Sequence, residues 1–243
     1  SFGTTLPGPI RTTLPSPAKG IEVLTLPEVT LACVDTRLPN LALDAIKECM
    51  TQVEFADVLL FTSPGHSLVD VPRQVQVIEI AHIHDIAAYS RFLLKEMGPY
   101  VGTSHVLIAQ WDGYILDARM WCDDFLQYDY IGAVWPQYTD AHRVGNGGFS
   151  LRSRKLLDAL ASDSIEPEHP EDVCIARTHR VQLEKEWSIR FADEGTAHRF
   201  AFERDRQGAS TFGFHGMSNM ALLLDEPALR EFMTRAPDTL FGS

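Results

Sequence analysis

Between residues 29 and 113 the apolar positions fall into short unbroken runs separated by stretches of helical spacing. VTLACVDT (29–36), ADVLLFTS (56–63), VQVIEI (75–80) and SHVLIAQWDG (104–113) are continuous apolar runs with little alternation. That is the pattern of strands covered on both faces. LALDAIKECMTQV (41–53) puts Leu41, Ala45, Ile46, Cys49 and Met50 on one helical face. IAAYSRFLLKEMGPYV (86–101) does the same with Leu93, Leu94 and Met97. The alternation predicts an α/β sheet with parallel crossovers, in which ligands sit outside the carboxyl ends of the strands. VDTR, TSPGH and QWDG are therefore the places to look for chemistry.

The second half is less regular. QYDYIGAVW (127–135) predicts a strand, and VGNGGFS (144–150) a glycine-rich loop entering a helix over RSRKLLDALAS (152–162), capped by Ser150 or Ser153. A second helix begins at PEDVCIARTHRV (170–181), IRFADEGTAHRFAFE (189–203) supplies a strand, a turn and a short element, and TFGFHG (211–216) closes the ordered part. Residues 1–20 are rich in Pro and Thr, with TTLPGP recurring as TTLPSP, and predict an extended tail or linker. One domain is expected over 21–217, with 218–243 as a peripheral tail carrying a helix at PALREFMTR.

Composition narrows the function. With 243 residues, 45% of them hydrophobic, the chain can bury a sizeable core. A net charge of −12 argues against a nucleic-acid partner. It also means that a phosphate-bearing ligand needs local help from arginines, helix N-termini or a metal. Cys33, Cys49, Cys122 and Cys174 have no CxxC spacing, which speaks against zinc and fits a reducing compartment. No apolar run is long enough to span a bilayer and no basic-then-apolar leader is visible, so a cytoplasmic location is expected.

Four segments carry candidate chemistry, each with an ordinary alternative. Gln110-Trp111-Asp112-Gly113 ends an apolar strand, where a carboxylate is placed to hold Mg²⁺ or Mn²⁺; Asp-Gly is also a common turn pair. Glu171 and Asp172 open a helix, where acids complement the dipole; one of them at a cleft edge is a candidate general base. His215 lies between Gly213 and Gly216, either structural or a late metal ligand. The glycines at 145, 147 and 148 make a plain loop or a substrate wall.

The order of these motifs, from HVLIAQWDGYILDARMWCDDFLQYDYIGAVW through VGNGGFSLRSRKLLDAL, EDVCIAR and FADEGTAHRFAFE to FGFHG, resembles a family of microbial glycosyltransferase-like domains of unknown function. That family is similar to the GT-A nucleotide-sugar transferases. The resemblance implies a GT-A-like α/β domain with a mostly parallel sheet. It implies transfer of a sugar from a nucleoside-diphosphate donor to a glycan or other hydroxyl acceptor, as in polysaccharide biosynthesis. Gln110-Trp111-Asp112 stands where the family's Asp-x-Asp stands, with Gln replacing the first Asp. Asp112 and His215 are then the implied Mn²⁺ or Mg²⁺ ligands, and Asp172 the base of an inverting reaction, with Glu171 beside it. Val34, Asp35, Thr36, Arg37, Gln110, Trp111, Asn146, Gly147 and Gly148 are the implied donor- and acceptor-binding residues. The competing reading is a degenerate domain that binds a nucleotide or glycan without turnover. A dehydrogenase is disfavoured, because CVDTRLPN rather than GxGxxG follows the first strand.

Overall fold

Strands β1 (Leu24–Val34), β2 (Val53–Thr62), β3 (Val75–Glu79) and β4 (His105–Ala109) form the regular half of the protein. In the computed structural model, which describes residues 23–206 and 210–236, β1 pairs in parallel with both β2 and β4, and β2 with β3. The tail expected over residues 1–20 lies outside the described residues. Helix α1 (Pro39–Met50) makes the crossover from β1 to β2, and α2 (Ile86–Arg91), extended by a wider turn over Phe92–Glu96, leads towards β4. Both faces of the sheet are covered. Leu31 and Cys33 share a cluster with Leu43 and Ile46 of α1. Ala32 and Val34 share another with Phe92, Leu93 and Met97. This two-sided burial is why these strands read as continuous apolar runs.

The other half completes the sheet with β5 (Tyr130–Ile131) and β6 (Phe149–Ser153), giving the order β3-β2-β1-β4-β6-β5. β6 runs antiparallel to both neighbours, with Ala109 opposite Phe149 and His105 opposite Ser153. The fold is thus α/β, with a mostly parallel central sheet flanked by helices. The glycine stretch does not enter a helix directly, as its sequence suggests; a strand intervenes. Phe149, Ser150, Leu151 and Arg152 all lie buried between β4 and β5, and the pull of sheet pairing overrides the helical reading. The following helix, α3 (Arg154–Ala161), is capped by Ser153, whose Oγ accepts from the Leu156 N–H at 3.0 Å.

Next come α4 (Glu171–Val173), continued by a wider turn over Cys174–Thr178, and α5 (Arg180–Trp187). Asp193 caps α6 (Glu194–Phe200), a helix where a turn was expected, and a two-stranded sheet joins β7 (Ala201–Phe202) to β8 (Gly213–Phe214). Two more helices follow, α7 (Met217–Leu223) and α8 (Glu226–Arg235). Residues 218–243 read as peripheral in sequence, yet Met220 and Leu223 of α7 lie in the main core cluster. Asn219 is buried too, donating to the carbonyls of Glu203 (2.8 Å) and His215 (2.7 Å). Helix α8 itself has no buried residue. All four cysteines are free thiols.

Met220→Ala should therefore destabilise the protein by about 2–5 kcal/mol, as a buried methionine does when truncated. Denaturant unfolding measures this. A loss below about 0.5 kcal/mol, the range of surface substitutions, would mean that α7 packs more loosely than described.

Candidate functional site

A cleft of about 590 Å³ opens at the carboxyl ends of β1 and β4. Its floor begins at Val34, where β1 stops and the chain turns. The Asp35 carboxylate makes that turn: Oδ1 accepts from the N–H groups of Arg37 (2.7 Å) and Leu38 (2.6 Å). Burial pushes the Asp35 carboxyl upward against those hydrogen bonds. Thr36 ties the turn to the next segment by accepting from the Ile83 N–H at 3.1 Å. Val34, Asp35, Thr36 and Arg37 all line the cleft, as do Gln110, Trp111, Asn146, Gly148, Glu171, Asp172 and His215. Five segments far apart in sequence thus share one wall.

Two candidate residues stand behind that wall. Asp112 is 9% exposed and reaches the cleft through His215, with Oδ1 at 3.3 Å from Nε2. The other nitrogen of the ring, Nδ1, lies 3.6 Å from Glu203 Oε1. Burial alone would lower the His215 pKa, but Asp112 and Glu203 outweigh it and raise it to about 10. Asp112 is lowered in turn: its burial is outweighed by His215. Gln110 completes the arrangement. Its Nε2 donates to the hydroxyl of the half-buried Tyr89 at 2.8 Å, which leaves Oε1 facing His215 Nε2 at 3.0 Å. Gly147, the second residue behind the wall, backs the acidic pair.

The glycines fit side chains rather than open space. A Cβ on Gly148 would overlap the His215 ring. A Cβ on Gly147 would lie 2.5 Å from Glu171 Oε1 and 2.9 Å from Asp172 Cβ. Neighbouring glycines therefore admit the two halves of the site. The Gly147 N–H also donates to Asp172 Oδ2 at 3.1 Å, and Val173 N–H to Oδ1 at 2.8 Å. Burial first, and Glu171 second, push Asp172 up to about 6.

Among the described residues no group of three His, Cys, Asp or Glu side chains is arranged to hold a metal ion. The nearest candidate ligands are one amide oxygen (Gln110) and one imidazole nitrogen (His215) on the cleft, with one carboxylate oxygen (Asp112) behind them. Asp112 Oδ1 is buried and faces only the His215 ring, at 3.3 Å. Oxygen ligands suit Mg²⁺, Ca²⁺ and Mn²⁺ alike, whereas imidazole suits Zn²⁺ and its neighbours, so this set selects no one metal. At His215 Nε2 a proton and a cation are alternatives.

Residues that the sequence did not single out are Tyr89, Arg152 and Glu203. Arg152 is fully buried on β6, with Nη2 3.1 Å from Glu171 Oε1. The period-two pattern of FSLRS carried its signal, since Ser150 and Arg152 share a face opposite Phe149 and Leu151.

An α/β domain with a polar cleft at its strand ends is the class that fold and site define. Within that class the chain belongs to the family described as "Protein of unknown function (DUF5672)", whose model matches residues 73–215. No curated protein matches the chain. Among solved structures, a mannosyltransferase, PcManGT from Pyrobaculum calidifontis in complex with GDP-Man and Mn²⁺, is 13% identical over 72% of this chain, with a TM-score of 0.41. The chain spans 58% of the length of that protein. The A197 protein from STIV is 13% identical over 69% of this chain and 82% of its own, with a TM-score of 0.38.

Gly148→Ala should cost about 1–3 kcal/mol, the range for overpacking a close-packed site. Gly98→Ala, whose nearest neighbour would be Leu157 Cβ at 3.7 Å, should stay close to wild type. Paired unfolding curves test this; equal stability of the two variants would show that the His215 ring can move aside freely.

Proposed function

We propose that the protein is a glycosyltransferase of the inverting, GT-A-like kind, moving a sugar from a nucleoside-diphosphate donor to a hydroxyl acceptor. The observation that carries this reading is the joint lining of one cleft by the β1 turn, the Gln110-Trp111 strand end, Asn146, the Glu171-Asp172 pair and His215. A cleft of about 590 Å³ is of a size to take a nucleotide sugar. The donor's nucleoside lies along Val34–Arg37, and its diphosphate points towards His215. Asn146 presents its amide to sugar hydroxyls.

Asp172, fixed by two backbone N–H groups, takes the proton of the acceptor hydroxyl. The acceptor oxygen attacks the anomeric carbon from the face opposite the diphosphate. The bond from that carbon to the diphosphate oxygen breaks, and the nucleoside diphosphate leaves with the electron pair. A single displacement with one base inverts the configuration. Gln110, Asp112 and His215 would hold a Mn²⁺ or Mg²⁺ ion, which supplies positive charge to the departing diphosphate. The His215 ring at that end of the cleft is itself held between Asp112 and Glu203. A glycan acceptor, as in surface polysaccharide, rests on the family resemblance. Among the described residues no helix is long and apolar enough to cross a membrane.

Nucleoside-diphosphate release from a panel of nucleotide sugars, with and without Mn²⁺, tests the reading. Turnover of at least one donor is expected. Binding of nucleoside diphosphates with no turnover across the panel would instead identify a binding domain. Asp172→Asn should lower transfer by about 10²-fold or more, the usual contribution of a general base, and leave nucleotide affinity unchanged. Near-normal transfer by that variant would remove Asp172 from the mechanism.

A further inference from the structure

We infer that Arg152 is a positioning residue for the acidic pair: it fixes Glu171 against Gly147, and the Glu171 charge in turn sets the pH at which Asp172 can accept a proton. Arg152 reaches no part of the cleft. Its Nε donates to Ser150 Oγ at 3.1 Å, and Ser150 Oγ donates to Gly147 O at 2.9 Å. Nη2 lies 3.4 Å from the same Gly147 carbonyl and 3.1 Å from Glu171 Oε1. The guanidinium carbon stands 5.6 Å from the centre of the Tyr130 ring. Nη1 is buried with no hydrogen-bond partner. An arginine cannot shed its proton to escape burial, so this charge has to be met where it stands.

Gly147 is where the three groups meet. A Cβ there would lie 2.5 Å from Glu171 Oε1, 2.9 Å from Asp172 Cβ and 3.0 Å from Arg152 Nη2. Two adjacent carboxylates in one low-dielectric place do not both ionise readily, and such a pair keeps one proton unless a cation offsets it. Arg152 is that cation. The groups facing Asp172 are Glu171 on its own helix, Arg152 on β6, Tyr130 on β5 and the N–H groups of Gly147 and Val173. Tyr89 on α2 faces Glu171. Burial and Glu171 raise Asp172, whereas the two N–H groups and Arg152 oppose them. The balance leaves Asp172 a carboxylate at neutral pH that is still a stronger base than an exposed aspartate.

The catalytic side of this inference rests on the proposed transferase reading; the electrostatic side does not. The test is a carboxyl ¹³C titration of the intact protein, with the Asp172 resonance assigned by its loss in Asp172→Asn. The pH profile of kcat/KM is followed alongside wherever a donor is turned over. Glu171→Gln should move the Asp172 midpoint down by about one pH unit, because a like charge is removed. Arg152→Gln should move it up by a similar amount, because the pair then holds its proton to higher pH. A structural role alone would not give shifts of opposite sign. Midpoints unmoved in both variants, or moved in the same direction, overturn the inference. Should Arg152→Gln not fold, an unmoved midpoint in Glu171→Gln overturns it. Absence of turnover with the expected titration shifts would sink the transferase reading and leave the role of Arg152 standing.

Discussion

The acidic pair and the imidazole of the site depend on how closely side chains approach the backbone at Gly147 and Gly148. The first of these glycines admits Glu171, Asp172 and Arg152; the second admits the His215 ring. Both lie just before β6, the strand wedged antiparallel between β4 and β5. The Gly148 carbonyl accepts from the Gln110 N–H at 2.9 Å, so the end of β4 is tied to the same point. Sheet register thus becomes site geometry. A side chain at either position would separate groups that sequence distance alone does nothing to bring together.

Charge follows the same economy of space. The cleft wall carries Asp35, Asp85, Glu171, Asp172 and Glu203 against Arg37, Arg204 and His215, in a chain of net charge −12. A diphosphate entering that wall meets repulsion over much of its length. The positive groups nearest the site are each clamped by carboxylates: His215 on the cleft by Asp112 and Glu203, and Arg152, buried behind it, by Glu171. The clamps hold the charges in fixed places, where flexible surface cations would be screened and mobile.

The parallel half of the fold was legible because its strands are buried on both faces, and burial writes itself as unbroken apolar runs. The segment around β6 was not. Its buried serines and arginine look like a polar helix entrance, since the partners that satisfy them come from β5, α4 and the Gly147 carbonyl. Glu171, Asp172, Gln110 and His215 stood out as residue types at strand or helix ends. Arg152 and Tyr89 did not, because a charged residue before a helix and a tyrosine within one are commonplace. Their importance lies in what they touch. Glu203 was hidden for the same reason: its meaning comes from the distance to His215 rather than from any spacing. The sequence left the glycines as a plain loop or a substrate wall; the close packing of protein side chains explains why Gly147 and Gly148 are glycines.

The C-terminal segment shows how far such dependence extends. Asn219 holds the carbonyls of both Glu203 and His215, so one α7 side chain fixes the backbone of an imidazole and of the carboxylate beside it. Further along, Phe232 of α8 stacks on Trp111 with ring centroids 5.6 Å apart, and Arg235 pairs with Asp44 of α1 at 2.6 Å. Trp111 also lines the cleft. One face of that indole meets α8, and this contact limits the positions its other edges can take towards a ligand. A helix with no buried residue of its own still shapes the cleft wall, because the aromatic ring it packs on belongs to the wall.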